Sequence, residues 1–416
     1  MSKKLLIIED NKSISSVIKH LGDSLGYQST IVESLSGVKA LLDQKNDFFL
    51  ATVDINLPDA PNGEVIPQVL KNNIPSIIMT GRMDQKMHRH IQNLPVIDYL
   101  IKENAQTYHY LLRILSGQLT NENIGILLVN ASITSRNQLE ILLKRRNFSV
   151  YCASSAPEAL AFLKNYDDIK MVITEQEMPV VSGIQLVQKI RKKYPANELI
   201  VIGISDNQQQ YQAERFIKNG ADDYLKRPFS SEEFFCRIMQ NIERLNYIEE
   251  IEKLANTHHL TSLYNRHYFI NEAQKRLKIK TEEPRTVAVV FLRILDFKEM
   301  NDEHGYKSGN ELLIAMAELL VAFFDVELVA HFSAAEFAVL MDKESLQSIE
   351  SALQRFHQET TAHSFSINGA SLKIKLNIGA QVVLGDNSMH CLLEGADKAL
   401  IKASQQGGNK LHICSE

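Results

Sequence analysis

Two stretches decide the reading of the first half of the chain: KLLIIEDN at 4–11 and LATVDINLP at 50–58. Each is a short apolar run that ends in acids, Glu9 and Asp10 in one and Asp54 in the other. Runs of this length, rich in Ile, Leu and Val and closed by turn residues, read as buried strands. STIV (29–32), SIIMT (76–80) and VIDYLI (96–101) extend the series. Helix-period stretches such as ISSVIKHLGDSLG (14–26) lie between them. Strands alternating with helices predict a parallel sheet covered on both faces. In such doubly wound sheets, sites form at the carboxyl ends of the strands.

The pattern then recurs. ILLVNAS (126–132) repeats LLIIEDN (5–11), and ITEQEMP (173–179) repeats VDINLP (53–58). Asp54 to Glu175 is an offset of 121; further on, Thr80 to Ser205 and Lys102 to Arg227 are offsets of 125. The chain therefore holds two copies of one α/β unit, expected at 1–118 and 122–246, followed by a third domain at 247–416.

Composition sets outer limits. With 416 residues, 44% hydrophobic and 23% charged, the chain has room for about three domains. A net charge of −5 gives no basic footprint for nucleic acid or an anionic membrane. Cys152, Cys236, Cys391 and Cys414 are far apart, which suits neither a disulfide framework nor a cysteine-rich zinc site. No apolar run approaches the length of a membrane span, and no signal peptide is visible. A cytoplasmic protein is expected.

Three carboxylates at one sheet edge repel one another unless a cation lies among them, and an oxygen ligand set with open water positions suits Mg²⁺. An ionised Asp is also a competent nucleophile toward a phosphoryl group, with the metal and a lysine neutralising charge. Lys102 supplies the lysine and Thr80 a hydroxyl. In residues, order and strand context this set resembles the receiver domain of two-component response regulators. The resemblance implies that Asp54 is the phosphoacceptor and that Glu9, Asp10 and Asp54 hold Mg²⁺ with the backbone carbonyl of Asn56. It also implies that Thr80, Tyr99 and Lys102 sense the phosphate. Glu103 departs from the family, which has proline after the lysine.

The second copy keeps the pattern and changes the chemistry. Asn130 and Ala131 replace the acid pair, Glu175 replaces the acceptor, Ser205 keeps a hydroxyl, and Arg227 stands at the lysine position before Pro228. Loss of the acids predicts loss of Mg²⁺ and of phosphorylation. A retained acid beside a retained cation suggests that Glu175 pairs with Arg227, or with Lys226, and locks the domain. Lys226 itself is expected to point to the opposite face.

From Ser230, the run SSEEFFCRIMQNIERLNYIEEIEKLAN has no Gly or Pro and carries Ile238, Ile242, Leu245, Ile248 and Ile251 at helical spacing. It predicts a long helix capped by Ser230 or Ser231, with acids in its first turn. Its apolar stripe fits either a dimer seam or packing on its own domain. His258 and His259, if helical, diverge. His88 and His90 fall in a polar stretch.

The third domain is read from LTSLYNRHYF (260–269), TVAVVFLRILDFKEMND (286–302), HFSAAEFAVL (331–340), NIGA (377–380) and ADKALIKASQQGGNK (396–410). These segments resemble the GGDEF family, whose active members are diguanylate cyclases. The resemblance places Arg293 and Leu295 at two Asp positions of the first strand, and Ser333, Ala334, Ala335 and Glu336 in the signature hairpin. Asn301 and Asn310 take the guanine-recognising positions. Ser404 and Gly408 replace phosphate-binding residues, and Phe324 to Glu327 take the place of the RxxD inhibition site. With both metal carboxylates absent, the expectation is that this domain is not an enzyme.

The whole is thus expected to be α/β: two flavodoxin-like receiver domains joined by a helical stalk to an α+β, nucleotidyl cyclase-like GGDEF domain. The resemblance implies a response regulator phosphorylated by a histidine kinase or phosphotransfer protein. Its output would run by protein contact to a cyclic di-GMP enzyme or effector, with a homodimer through receiver faces or stalk. A GTP-sensing module and an active diguanylate cyclase are the alternatives.

Overall fold

The computed structural model describes residues 2–44, 47–81, 91, 94–206, 211–278, 286–325, 327–367, 370–384 and 388–415. His88 and His90 lie outside the described residues. The chain divides into two compact units, Met1–Asn246 and Tyr247–Glu416.

The first unit contains two five-stranded sheets. In one, β1 (Lys4–Ile8), β2 (Gln28–Val32), β3 (Leu50–Asp54), β4 (Ser76–Thr80) and β5 (Asp98–Ile101) lie in the order β2-β1-β3-β4-β5. In the other, β6 (Gly125–Val129), β7 (Ser149–Ala153), β8 (Ile169–Glu175), β9 (Ile200–Ser205) and β10 (Asp223–Lys226) lie in the order β7-β6-β8-β9-β10. Every pairing in both is parallel. The two orders are the same, flavodoxin-like one. Strands β3, β4 and β6 are buried at every position, which is why they read as largely apolar runs without polar alternation. Each sheet has an apolar core on both faces.

The repeat reaches down to the helix caps. Asn11 caps helix Lys12–Ser24 by accepting from the Ser13 and Ile14 amides, and Ser132, at the same offset of 121, caps helix Ile133–Arg145 through the Ser135 amide. Both caps satisfy donors that a helix start leaves open and fix the turn that follows the acid-bearing strand end.

Helix Ser231–Asn256 is one uninterrupted run of 26 residues, with Ser230 Oγ accepting from the Glu233 amide. Its stripe divides. Ile238, Ile242 and Leu245 are buried in the core of the second lobe, whereas Tyr247, Ile251 and Leu254 are 64%, 64% and 73% exposed. The helix ends at Asn256, so His258 and His259 are not helical, and their rings lie 4.7 Å apart instead of diverging.

The second unit is built on a mixed sheet. Its strands are β11 (Tyr264–Asn265), β12 (Thr286–Ile294), β13 (Leu328–Ser333), β14 (Glu336–Lys343), β17 (Leu376–Leu384) and β18 (Leu411–Ser415), in the order β11-β13-β14-β12-β17-β18. The central strand β12 runs antiparallel to β14 and β17. A small hairpin, β15 (Phe365–Ile367) and β16 (Ala370–Leu372), stands apart. Helices Phe297–His304 and Tyr306–Phe323 follow β12 directly.

Candidate functional sites

The carboxyl ends of β1 and β3 bring Glu9, Asp10 and Asp54 together, with one carboxylate oxygen of each within 4.8 Å of the others. Glu9 and Asp54 are buried and Asp10 is exposed. Lys102, at the end of β5, extends its ammonium between two of them, 2.5 Å from Glu9 Oε2 and 2.6 Å from Asp54 Oδ2. Burial pushes the Glu9 carboxyl above its ordinary range, and the neighbouring ammonium opposes the shift. The Asn56 amide donates to Asp54 Oδ1 at 3.1 Å, and the Asn11 amide to Glu9 Oε1 at 3.3 Å. Thr80 is buried at the end of β4, and its carbonyl accepts from the Lys102 amide at 2.7 Å. Tyr99 is raised by burial and by the charges of Glu232 and Asp98. Glu103 uses the N–H that a proline lacks, donating to the Ile101 carbonyl at 2.8 Å.

Hard oxygen donors converging in this way fit Mg²⁺. Lys102 meets one oxygen of Glu9 and one of Asp54 from the protein side.

The equivalent pocket of the second lobe has a different chemistry. Glu175 Oε2 accepts from Arg227 Nη2 and from Asn130 Nδ2, each at 3.2 Å. Burial raises the Glu175 carboxyl and Arg227 pulls it back. Lys226 is exposed, as the alternation along β10 requires. Arg136, from the first turn of the next helix, donates to the Asn130 carbonyl, which places a guanidinium near Ala131, where the first lobe has Asp10. Ser205 Oγ and Tyr224 Oη are 2.7 Å apart.

In the second unit, Arg293 lies opposite Glu336 in the β12–β14 ladder. It donates to Glu336 Oε2 from Nη2 at 2.8 Å and from Nε at 3.1 Å. Ser333 Oγ is 3.4 Å from the other oxygen. Ala334 takes a positive φ of 29° at the hairpin tip, a conformation that favours glycine. Ala335 is buried and its carbonyl accepts from the Ile294 amide at 3.0 Å. Leu295 packs against Gly408: a Cβ there would lie 2.9 Å from Leu295 Cδ1. Asn301 Oδ1 is buried without a hydrogen-bond partner among the described residues, pressed on Gly309 so closely that a Cβ would sit 1.8 Å away. Asn310 is exposed, and Ser404 Oγ accepts from Asn377 Nδ2 at 2.8 Å.

Three groups escaped the sequence reading. Asp98, Tyr110 and Arg146 form a cluster in the first unit in which Arg146 is buried and the other two are half-buried. His258 and His331 stack at 3.8 Å, and His331 Nε2 reaches the Ala334 carbonyl at 2.9 Å. Arg136 is the third. The first had a signal: an Asp precedes the Tyr in both copies, at 98 and 223.

The chain belongs to the response regulators that carry a GGDEF domain. The receiver family profile matches residues 126–239, and the profile of the diguanylate cyclase GGDEF domain matches residues 255–410. A crystal structure of a two-component system response regulator/GGDEF domain protein is 32% identical, is covered over 100% of its length by 59% of this chain, and superposes with a TM-score of 0.53. Among curated relatives, the response regulator PleD of Caulobacter vibrioides is 23% identical over 252 residues, 58% of this chain and 56% of the relative. The diguanylate cyclase DgcP of Pseudomonas aeruginosa is 26% identical over 189 residues, 42% of this chain and 28% of the relative. The chain thus spans little more than half the length of PleD.

These matches overturn the expectation that the third domain is not an enzyme. The body of the domain, from 255 to 410, is homologous to diguanylate cyclases and points to an enzyme. Arg293 and Ala335 change the charge at two positions of the site; they do not remove the domain from that family. The receiver implies a phosphodonor such as a histidine kinase, and the GGDEF domain implies cyclic di-GMP signalling. Among the described residues, no helix is long and apolar enough to cross a membrane.

Proposed function

We propose that the first lobe, residues 1–118, is a second receiver and that Asp54 is its phosphoacceptor. The observation that carries this reading is the convergence of Glu9, Asp10 and Asp54 with Lys102 on one sheet edge. The donor is a phosphohistidine of a kinase or phosphotransfer protein. An Asp54 oxygen forms the new P–O bond as the P–N bond breaks, and the imidazole leaves with the electron pair. Mg²⁺, held by Glu9, Asp10, Asp54 and the Asn56 carbonyl, supplies charge neutralisation when bound. Lys102 then leaves its carboxylate partners for the phosphoryl oxygens, with the Thr80 hydroxyl beside it.

The second lobe, residues 122–246, takes no phosphoryl group. The Glu175–Arg227 pair supplies internally the charge that a ligand would bring and holds this lobe in one state. The output lies in the GGDEF domain and acts within cyclic di-GMP signalling.

The test is phosphorylation of the purified chain by acetyl phosphate with Mg²⁺, read by phosphate-affinity electrophoresis and peptide mass. One phosphoryl group on Asp54, absent from Asp54→Asn and without Mg²⁺, is expected. A label retained by Asp54→Asn would sink the reading. Cyclic di-GMP formation from GTP, measured on loaded and unloaded protein, reads the output.

A further inference from the structure

The second lobe carries a basic cleft that phosphoryl transfer to Asp54 does not use. It measures about 710 Å³ and lies between helix Gly183–Arg191 and helix Gln212–Lys218, with Val180 among its lining residues. Lys189, Lys192 and Lys218 line it, and Gln188 Nε2 donates across it to Asn219 Oδ1 at 2.5 Å. All three lysines are exposed, and none has an ion-pair partner among the described residues. Among the described residues no carboxylate lines the cleft, in a chain whose net charge is −5.

The fold does not call for these charges. At the offset of 121, Val65, Ile66 and Val69 of the first lobe correspond to Leu186, Val187 and Ile190, and all six are buried. Between these matched inward positions, the first lobe has Gln68 and Leu70 where the second has Lys189 and Arg191. The inward face keeps its character while the outward face gains cations. Lys189 and Lys192 are three residues apart, a helical spacing at which like charges repel unless an anion lies between them. Val180 adds a second anomaly. It is 98% exposed and holds φ at 68°, a region that β-branched residues rarely adopt. An apolar side chain held in water by a strained backbone is the kind of outlier that binding sites retain.

The same residues select the occupant. Among the described residues no aromatic ring lines the cleft to stack a base. Its one guanidinium is committed elsewhere: Arg191 donates to the Gly220 carbonyl at 2.6 Å, to the Leu199 carbonyl at 2.7 Å and to Asp222. The three lysines stand in or just past the last turns of their helices, where the backbone offers carbonyls and not the amides that cradle phosphate. What remains is a set of separate point charges on flexible stems beside one bare valine. That set suits carboxylates spread along a peptide better than a single compact phosphate.

We propose that this cleft docks an acidic segment of a partner protein. Carboxylates about one helical turn apart meet Lys189, Lys192 and Lys218, and an apolar side chain of the same segment covers Val180.

The experiment is fluorescence anisotropy on the full chain, with a fluorescein-labelled peptide in which pairs of Glu alternate with Leu at helical spacing. The control peptide has Gln for every Glu. The Glu peptide is expected to bind at least about tenfold more tightly than the Gln peptide in low salt, an advantage that shrinks as salt is added. Lys189→Glu, Lys192→Glu and Lys218→Glu are each expected to weaken it by about fivefold or more, and Lys189→Arg to leave it within about twofold. Val180→Ser is expected to weaken both peptides by about threefold. Lys164→Glu, an exposed reversal on the same lobe outside the cleft, is expected to change nothing. Equal binding of the two peptides, or no binding of either, would overturn the proposal. So would an equal loss in Lys164→Glu, which would make the attraction a property of the whole surface. Displacement of the peptide by inorganic phosphate or GTP at matching concentrations would overturn it in favour of a small-anion site.

Discussion

The two lobes of the first unit share a strand order, a cap position and a pocket, yet the pockets solve opposite electrostatic problems. The first gathers three carboxylates around one lysine, an excess of negative charge that invites a cation. The second holds one carboxylate between an arginine and an amide, with a further guanidinium nearby, and leaves no such excess. The same backbone can thus present a cluster of acids or a closed ion pair, and four positions make the difference: 9/130, 10/131, 54/175 and 102/227. Fold alone does not carry the chemistry.

The largest test of this contrast transplants the acids. The triple variant Asn130→Glu, Ala131→Asp, Glu175→Asp is expected to gain Mg²⁺-dependent phosphorylation in the second lobe, a change from none to measurable in an Asp54→Asn background. If the acids bind Mg²⁺ by calorimetry and no phosphoryl group appears, Arg136 or Arg227 is the obstacle. Next in size, Lys102→Ala leaves two buried carboxylates without their ammonium and is expected to cost about 3–5 kcal/mol in metal-free buffer. Mg²⁺ should restore much of that in denaturant titrations; an equal loss with and without Mg²⁺ would mean the acids are not its ligands.

Glu175→Gln removes the charge and keeps the shape. Losing one charged hydrogen bond is expected to cost about 1–3 kcal/mol and, if the pair is a lock, to shift the oligomeric state seen by light scattering. An unchanged midpoint and mass would show the pair to be a relic. The smallest effect concerns pH. Burial holds the His258 imidazole down, to about 4 from an ordinary 6.5, so the unfolded chain binds the proton more readily. Stability contributed here is present above 6.5 and is lost as pH falls toward 4. His258→Asn should flatten that slope in thermal scans across the same window; an unaltered slope would assign it to other groups.

Much of this was legible beforehand because the informative signals were local. Apolar runs closed by acids marked β1 and β3, and the register of the repeat located the second sheet. Alternation along β10 told Lys226 from Arg227. What stayed hidden depends on distant parts meeting. Nothing near Arg146 in sequence announces Asp98, 48 residues earlier. The apolar stripe of the long helix has one period throughout, yet only tertiary packing decides that Leu245 is covered and Ile251 is not. No Gly or Pro marks where the helix ends before His258; it stops at Asn256, and the Thr257–Tyr264 bridge takes over. The assignment of the third domain as a non-enzyme leaned on individual site positions, whereas kinship is written across the whole segment from 255 to 410.

The uninterrupted helix Ser231–Asn256 has a mechanical consequence. Twenty-six residues make a rod about 39 Å long. A tilt of about 5° at its buried end corresponds to about 3 Å at its other end, close to the rise of two helical residues. A rotation about its axis by one residue position would turn Tyr247, Ile251 and Leu254 by about 100°. Length alone thus turns a small angular change where the helix is packed into a displacement of several ångström at Ile251 and Leu254.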